Sequence, residues 1–209
     1  EFAKRHGILP GGDLAIIAYG KLGGQELTTD SDLDLVFVYK HDVGTEASNG
    51  TVPLSPGAYY SRLSQRLIAA ITSLTPEGRL YDVDMRLRPS GEAGPIATPF
   101  EGFAYYIRES AWTWEHMALT RARIIATSET FKVHLEKTIH SALTQERNMD
   151  RLVIDVADMR QRVANEHAST SPWEIKHRRG GLLDLEFIIQ YLQLRYASSN
   201  AHVLSARTH

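Results

Sequence analysis

The chain has 209 residues, enough for one substantial domain or for one domain with a smaller appendage. Its 23 basic and 25 acidic residues nearly balance, so composition gives no general electrostatic footprint for nucleic acid. Cysteine is absent, which excludes disulfides, thiolate metal sites and cysteine nucleophiles together.

Residues 1–13 are polar and contain Pro10-Gly11-Gly12, a turn feeding the first strand. Residues 14–19 (LAIIAY) and 33–39 (LDLVFVY) read as strands from their β-branched and aromatic content. Between them lie the run Tyr19-Gly20-Lys21-Leu22-Gly23-Gly24 and an acidic loop ending in Ser31-Asp32-Leu33-Asp34-Leu35. Residues two apart on a strand share a face, so Asp32 and Asp34 sit side by side. Adjacent carboxylates repel unless a cation lies between them, and hard oxygen ligands favour Mg²⁺ or Mn²⁺. Glycines just upstream let backbone amides approach a triphosphate. A plain tight turn explains one of Gly20, Gly23 and Gly24, but less easily all three. Ser31 either caps the acidic loop or touches a phosphate.

Residues 41–57, rich in Gly, Ser, Thr and Pro, are expected to form a mobile loop. Apolar residues at helical spacing (Tyr59, Leu63, Leu67, Ile71) predict an amphipathic helix over 58–73. A further strand is predicted over 79–88, ended by Pro89. Its alternation puts Tyr81, Val83, Met85 and Leu87 on one face and Asp82, Asp84, Arg86 and Arg88 on the other. The charged face is where a third metal carboxylate would be placed, with Asp82 and Asp84 as rivals. From Pro99 the pattern turns helical, with helices expected over 100–109, 111–126, 129–144, 149–167 and 182–197. Ser128 is the expected N-cap of its helix. A boundary near residue 126 then separates a mixed α/β half from an all-α half.

Trp112, Trp114 and Glu115 are read as core packing, with Glu115 paired to Arg121 or Arg123, in preference to a catalytic cluster. The nine histidines show no metal-ligand spacing and are read mostly as surface residues. The longest apolar runs, 33–39 and 187–194, fall far short of the roughly 20 residues that a membrane span needs. No signal peptide is visible, and the ends at Glu1 and His209 look like cuts through a longer polypeptide. A soluble cytoplasmic fragment is the expectation.

Gly20-Lys21, ten residues, then Asp32-Leu33-Asp34 resembles the polymerase-β-type nucleotidyltransferase signature of Gly-Ser, a spacer and Asp-x-Asp. Lys21 stands where that signature has a serine touching the terminal phosphates; a lysine can serve a phosphate as a point charge. Over longer stretches, GKLGGQELTTDSDLDLVFVY (20–39), YDVDMRLRPSGEAGP (81–95), AWTWEHMALTRAR (111–123) and GGLLDLEFIIQYLQLRYA (180–197) are similar to the glutamine-synthetase adenylyltransferases. These bacterial enzymes carry two homologous nucleotidyltransferase units: one attaches AMP to a tyrosine of glutamine synthetase, and the other removes it by phosphorolysis. SDLDL, RPSG and AWTWEH favour the C-terminal, AMP-attaching unit.

The resemblance implies an α+β fold: a polymerase-β-like catalytic domain over 1–126 with a small mixed sheet, then a helical domain over 127–209, truncated at its C-terminus. It implies ATP as substrate and Asp32, Asp34 and Asp84 as ligands of Mg²⁺ or Mn²⁺, with Asp84 preferred over Asp82 by the pattern Val-Asp-x-Arg-Leu-Arg-Pro. Arg86 and Arg88 either clamp phosphate or pair with Asp82 and Asp84. Lys176, near Gly180, Gly181, Asp184 and Glu186, is a candidate phosphate contact where that segment meets the catalytic domain. Glutamine synthetase is the implied partner, with a PII signalling protein and glutamine acting on the full-length enzyme; neither nucleic acid nor membrane is implied. The rival expectations are the phosphorolytic unit, an antibiotic-modifying type of adenylyltransferase, which lacks the three later motifs, and a non-catalytic binding module.

Overall fold

The computed structural model describes residues 1–76, 78–167, 171 and 173–208. A short helix α1 (Phe2–His6) precedes strand β1 (Asp13–Ala18), which pairs antiparallel with strand β2 (Leu33–Lys40), Asp13 facing Lys40 and Ala18 facing Leu35. One helical turn, α2 (Gly20–Gly23), fills the start of the connection. Helix α3 (Pro56–Ile71) follows with proline in its first turn, where a missing N–H costs nothing.

The other edge of β2 carries two short parallel partners in succession: β3 (Val83–Asp84) beside Leu33 and Asp34, then β4 (Ala97–Pro99) beside Phe37 to Tyr39. Helix α4 (Phe100–Tyr105) runs on into a π-helical turn, Tyr106–Ser110. Helix α5 (Thr113–Leu119) leads to strand β5 (Arg123–Ala126), antiparallel to β1 on its free edge. Helices α6 (Glu129–Thr144), α7 (Met149–Glu166) and α8 (Leu182–Tyr196) come next, and a 3-10 turn, Ala201–Val203, follows α8. The result is α+β with a small mixed sheet.

The sheet is a middle layer, apolar on both faces, which accounts for the near-continuous run LDLVFVY in β2. Leu35, Phe37 and Tyr39 face α3 together with Tyr59 and Tyr60. Ala15, Ile17, Val36 and Val38 face the helices that follow, packing with Phe103, Met117, Leu119, Phe131, Leu135 and Leu194. Asp34 shares its face with Val36 and Val38, so it points toward this second helical layer.

Several expectations require correction. The strand predicted over 79–88 is two residues long, because Asp84 Oδ1 accepts the Arg86 amide at 2.8 Å and turns the chain. Val83 and Met85 still pack toward α3, but Leu87 crosses to the other core. The helix predicted over 111–126 ends at Leu119, and its last four residues form β5, where β-branched Ile124 and Ile125 satisfy the open edge of β1. Strand β4 and helix α1 were not anticipated. Residues 41–57 are pinned rather than loose: Asn49 Oδ1 accepts the Ile8 amide at 2.9 Å, and His6 Nδ1 bonds the Val52 carbonyl at 2.7 Å. Most of the described histidines are exposed or half-buried, as expected, and His6 and His116 are the buried exceptions among them. Among the described residues, no helix is long and apolar enough to cross a membrane.

Candidate active site

Where β2 and β3 begin, a cleft of about 450 Å³ opens between the sheet edge and helices α5, α7 and α8. Its acidic wall holds Asp30, Asp32, Asp34 and Asp84, with Gly20, Lys21, Ser31 and Arg86 alongside. The opposite wall comes from the helices, where Trp114, Met117, Met159, Val163 and Phe187 supply apolar surface and Gln190 a polar group, and from the turn before α8, which adds Lys176 and His177. The residues that the sequence singled out around 20, 32, 84 and 176 therefore converge on one cavity.

Asp34 is half-buried and lies directly opposite Asp84 in the parallel ladder. Burial raises the pKa of Asp34 above the usual carboxylate value, and the negative charges of Asp84 and Asp32 add to the effect. Burial also works to raise Asp84, but Arg86 overrides it: Nε and Nη2 donate to Asp84 Oδ2 at 2.8 and 2.5 Å, and the Arg86 amide donates to Oδ1. The net result holds Asp84 below its ordinary value. Asp32 and Asp82 are exposed, and Asp82 forms an ion pair with Arg79.

Gly20 has φ +52°, in the left-handed region, and a Cβ there would collide with Asp34 Oδ2. The turn and the acidic strand end thus fit together only with glycine at 20. Gly23 and Gly24 lie outside the cleft; their bare Cα atoms admit the Arg121 backbone and guanidinium. Ser31 Oγ accepts the Thr28 amide at 3.0 Å and holds Lys21 Nζ at 3.4 Å, so it caps the acidic loop and lines the cleft at once. Arg88 lines a neighbouring depression shared with Asp32, Asp84 and Arg86 instead of the cleft itself, and it donates to the carbonyls of Met85, Gly94 and Glu92 at 2.8, 3.2 and 3.1 Å, folding the loop after β3.

The Trp112–Glu115 segment differs from its expected role. Trp112 is 68% exposed, and Glu115 pairs with neither arginine; it accepts the Trp112 amide and the Tyr106 phenol, each at 2.8 Å. Arg121 instead pairs with Glu26. Sequence reasoning also missed the apolar wall. Met117, Met159 and Phe187 carry no motif of their own, and only the tertiary fold gathers them opposite the carboxylates.

The donor chemistry suits a hard divalent cation: carboxylate oxygens on adjacent strands, with mutual repulsion that a cation would relieve. As the side chains stand, no three potential ligands converge closely enough to hold a metal among the described residues. Asp84 is closed on Arg86, whose side chain is otherwise largely exposed.

Residues 5–138 match the family described as glutamate–ammonia ligase adenylyltransferase. The chain is similar to proteins named bifunctional glutamine synthetase adenylyltransferase/adenylyl-removing enzyme from several bacteria. It is 49% identical to that of Bradyrhizobium sp. (strain ORS 278) over 98% of its length, and 50% identical to that of Brucella suis biovar 1 (strain 1330) over 93%. It is 47% identical over its whole length to that of Xanthobacter autotrophicus (strain ATCC BAA-1158 / Py2). The chain spans about a fifth of the length of these relatives: 21%, 20% and 21% in that order. The chain belongs to the glutamate–ammonia ligase adenylyltransferase family.

Proposed function

We propose that this chain is an AMP-attaching nucleotidyltransferase unit that moves AMP from ATP to a tyrosine hydroxyl of glutamine synthetase. The observation that carries the reading is the convergence of Gly20, Asp32, Asp34 and Asp84 at one end of the cleft, facing a wall of apolar helical side chains. The acidic end suits cation-bound phosphates, and the apolar wall suits a nucleobase.

In the proposed reaction the phenolic oxygen attacks the α-phosphorus, the bond to pyrophosphate breaks, and the phenol proton passes to a carboxylate, assigned to Asp84. A phenol has a pKa of about 10, so it needs activation at neutral pH. Mg²⁺ or Mn²⁺, held by Asp32, Asp34 and Asp84, would supply that activation as a Lewis acid and offset charge on the phosphates. Lys21 and Lys176, on opposite walls, offer cations to the phosphates, and Arg86 becomes a further one once it leaves Asp84. The Gly20 turn brings its backbone close to the phosphates, while Met117, Met159 and Phe187 shield the site from water.

The division into a catalytic unit over 1–126 and a helical unit over 127–209 belongs to the same proposal, the helical unit supplying the α7 and α8 part of the far wall and α5 of the catalytic unit the rest. A cytoplasmic setting, control by glutamine and recognition by a PII protein are proposed for the whole polypeptide. The deciding assay follows label from α-labelled ATP into glutamine synthetase, and in parallel follows ADP released from adenylylated glutamine synthetase by orthophosphate. Transfer without orthophosphate-dependent release supports the attaching unit; the converse assigns the chain to the removing unit.

A further inference from the structure

Arg121 carries a buried charge that the chemistry above does not use. Its side chain is 6% exposed, and its guanidinium reaches four separate segments. Nε donates to the Gly20 carbonyl at 3.1 Å, Nη1 to Thr208 Oγ1 at 2.9 Å, and Nη2 to Glu26 Oε2 at 2.5 Å; Glu186 Oε1 lies 3.6 Å from Nη1. Burying a guanidinium is costly unless its donors are met, so this position is held by a specific set of partners. The Gly20 peptide is thereby clamped between Arg121 on one side and the Asp34 carboxylate on the other. Thr208 is tied to the same cluster a second time, its amide donating to Glu26 Oε1 at 2.9 Å.

Arg123 offers an internal comparison. It donates to the Gly23 carbonyl at 3.0 Å and to the Leu22 carbonyl at 2.7 Å, so it grips the same turn. Unlike Arg121, it does not line the cleft, and among the described residues its side-chain hydrogen bonds end on that turn. Only the planar fork of an arginine spans such dispersed acceptors; a lysine ammonium meets one or two of them.

We infer that Arg121 is a positioning residue of the cleft: it fixes the Gly20 turn against Asp34 and couples that turn to Glu186 on α8 and to Thr208. The catalytic consequence rests on the reading of the cleft as a nucleotide site; the mechanical link does not. Loosening Arg121 then weakens nucleotide binding and frees two distant segments together.

The test compares R121K with R123K in the 209-residue chain. It measures affinity for ATP with magnesium, melting temperature, and amide hydrogen exchange over 20–26 and 205–208. Both variants are expected to lower the melting temperature. Only R121K should weaken ATP binding, on the order of 10-fold, the scale of losing a charge-assisted hydrogen bond. Only R121K should speed exchange in both segments, whereas R123K should speed it in the turn alone. Wild-type affinity and exchange in R121K, or equal losses in the two variants, would overturn the inference. Should R121K fail to fold, E26Q removes the charge that holds Arg121 and must speed exchange in both segments; unchanged exchange there would sink it equally. A wild-type chain that binds no ATP would refute the nucleotide reading, while the exchange result would still decide the link.

Discussion

Asp34 and Asp84 stand directly opposite each other across the parallel β2–β3 pairing, so two carboxylates rise from one face of the sheet beside a third, Asp32. Nothing in folding asks for this. Burial and the two neighbouring charges hold the Asp34 pKa above its ordinary value, so its ionised form opposes the native state. An arrangement that opposes folding is what a site built to receive a cation would show.

The first prediction separates stability from activity at Asp34. With a raised native pKa, the native state binds more protons than the unfolded state between the two pKa values. Stability therefore falls as pH rises through that window and stays lowered above it. In metal-free protein, D34N should melt higher than wild type at neutral pH, and the gap should close on acidification toward pH of about 4. The same variant, like D32N, should lose AMP transfer by about 100-fold or more, the scale of removing one electrostatic contact to a transition state. Near-normal turnover of either variant at saturating Mg²⁺ would remove it from the site.

Gly20 makes a sharper demand. Its positive φ disfavours any side chain, and a Cβ would strike Asp34 Oδ2. G20A should lose about 1–2 kcal/mol of stability from the backbone alone, measurable by denaturant unfolding, and bind ATP more weakly than that loss explains. G44A, at φ +86° with open space around it, provides the control: a backbone penalty with unchanged ATP affinity.

Much of the fold was legible because it is local. Helix α6 begins and ends where its periodicity and the Ser128 cap put it, Ser128 Oγ accepting the Phe131 amide at 3.3 Å. Helix α8 falls one residue short of its expected end. Strand β2 announced itself by its β-branched and aromatic content, and the acids of the cleft by strand period and motif. What could not be read depends on distant partners. Residues 123–126 continue a plausible helix until β1 offers an open edge, more than a hundred residues earlier in the chain. Arg121 or Arg123 was the expected partner of nearby Glu115, whereas the fold gives Glu26 to Arg121 and two backbone carbonyls to Arg123, and Glu115 turns back to cap its own helix. The strand over 79–88 failed for a local reason that alternation does not register: Asp84 is also a turn former, and it bends the chain at once.

Acid should expose a second buried group, His116. Its Nε2 bonds the Ile107 carbonyl at 2.6 Å, and Arg147 Nη1 lies 3.2 Å from Nδ1, so the neutral ring donates on one side and accepts on the other. Burial, then the Arg147 charge, lowers its pKa below the ordinary histidine value. Between the lowered native pKa and the unfolded value near 6.5, the unfolded state holds the proton and the native state does not. Stability should therefore decline as pH falls below about 6.5. H116Q should flatten that part of the melting profile; a profile equally steep in the variant would assign the loss to other groups.

The last prediction concerns which acid beyond Asp32 and Asp34 takes part. Alternation put Asp82 and Asp84 on one face, about 7 Å apart from a rise of about 3.3 Å per residue, and could not rank them. A ligand oxygen must come within roughly 2.0–2.6 Å of a metal ion, so normally only one of the two would share the ion proposed at Asp34. In the fold, Asp84 is in register with Asp34, lines the cleft and is bound by Arg86, whereas Asp82 is exposed, occupied by Arg79, and lines only a neighbouring depression that it shares with Asp32, Asp84 and Arg86. D84N should then abolish AMP transfer while ATP with magnesium still binds within a few-fold, since a group that serves the attacking hydroxyl acts on the transition state more than on the bound substrate. D82N should alter both by little, because it removes only a surface ion pair worth about 0–1 kcal/mol. The decisive comparison is of turnover number against nucleotide affinity in the two variants. If D82N is dead and D84N is active, Asp82 is the third acid, and the Asp84–Arg86 pair is simply the pin of a turn.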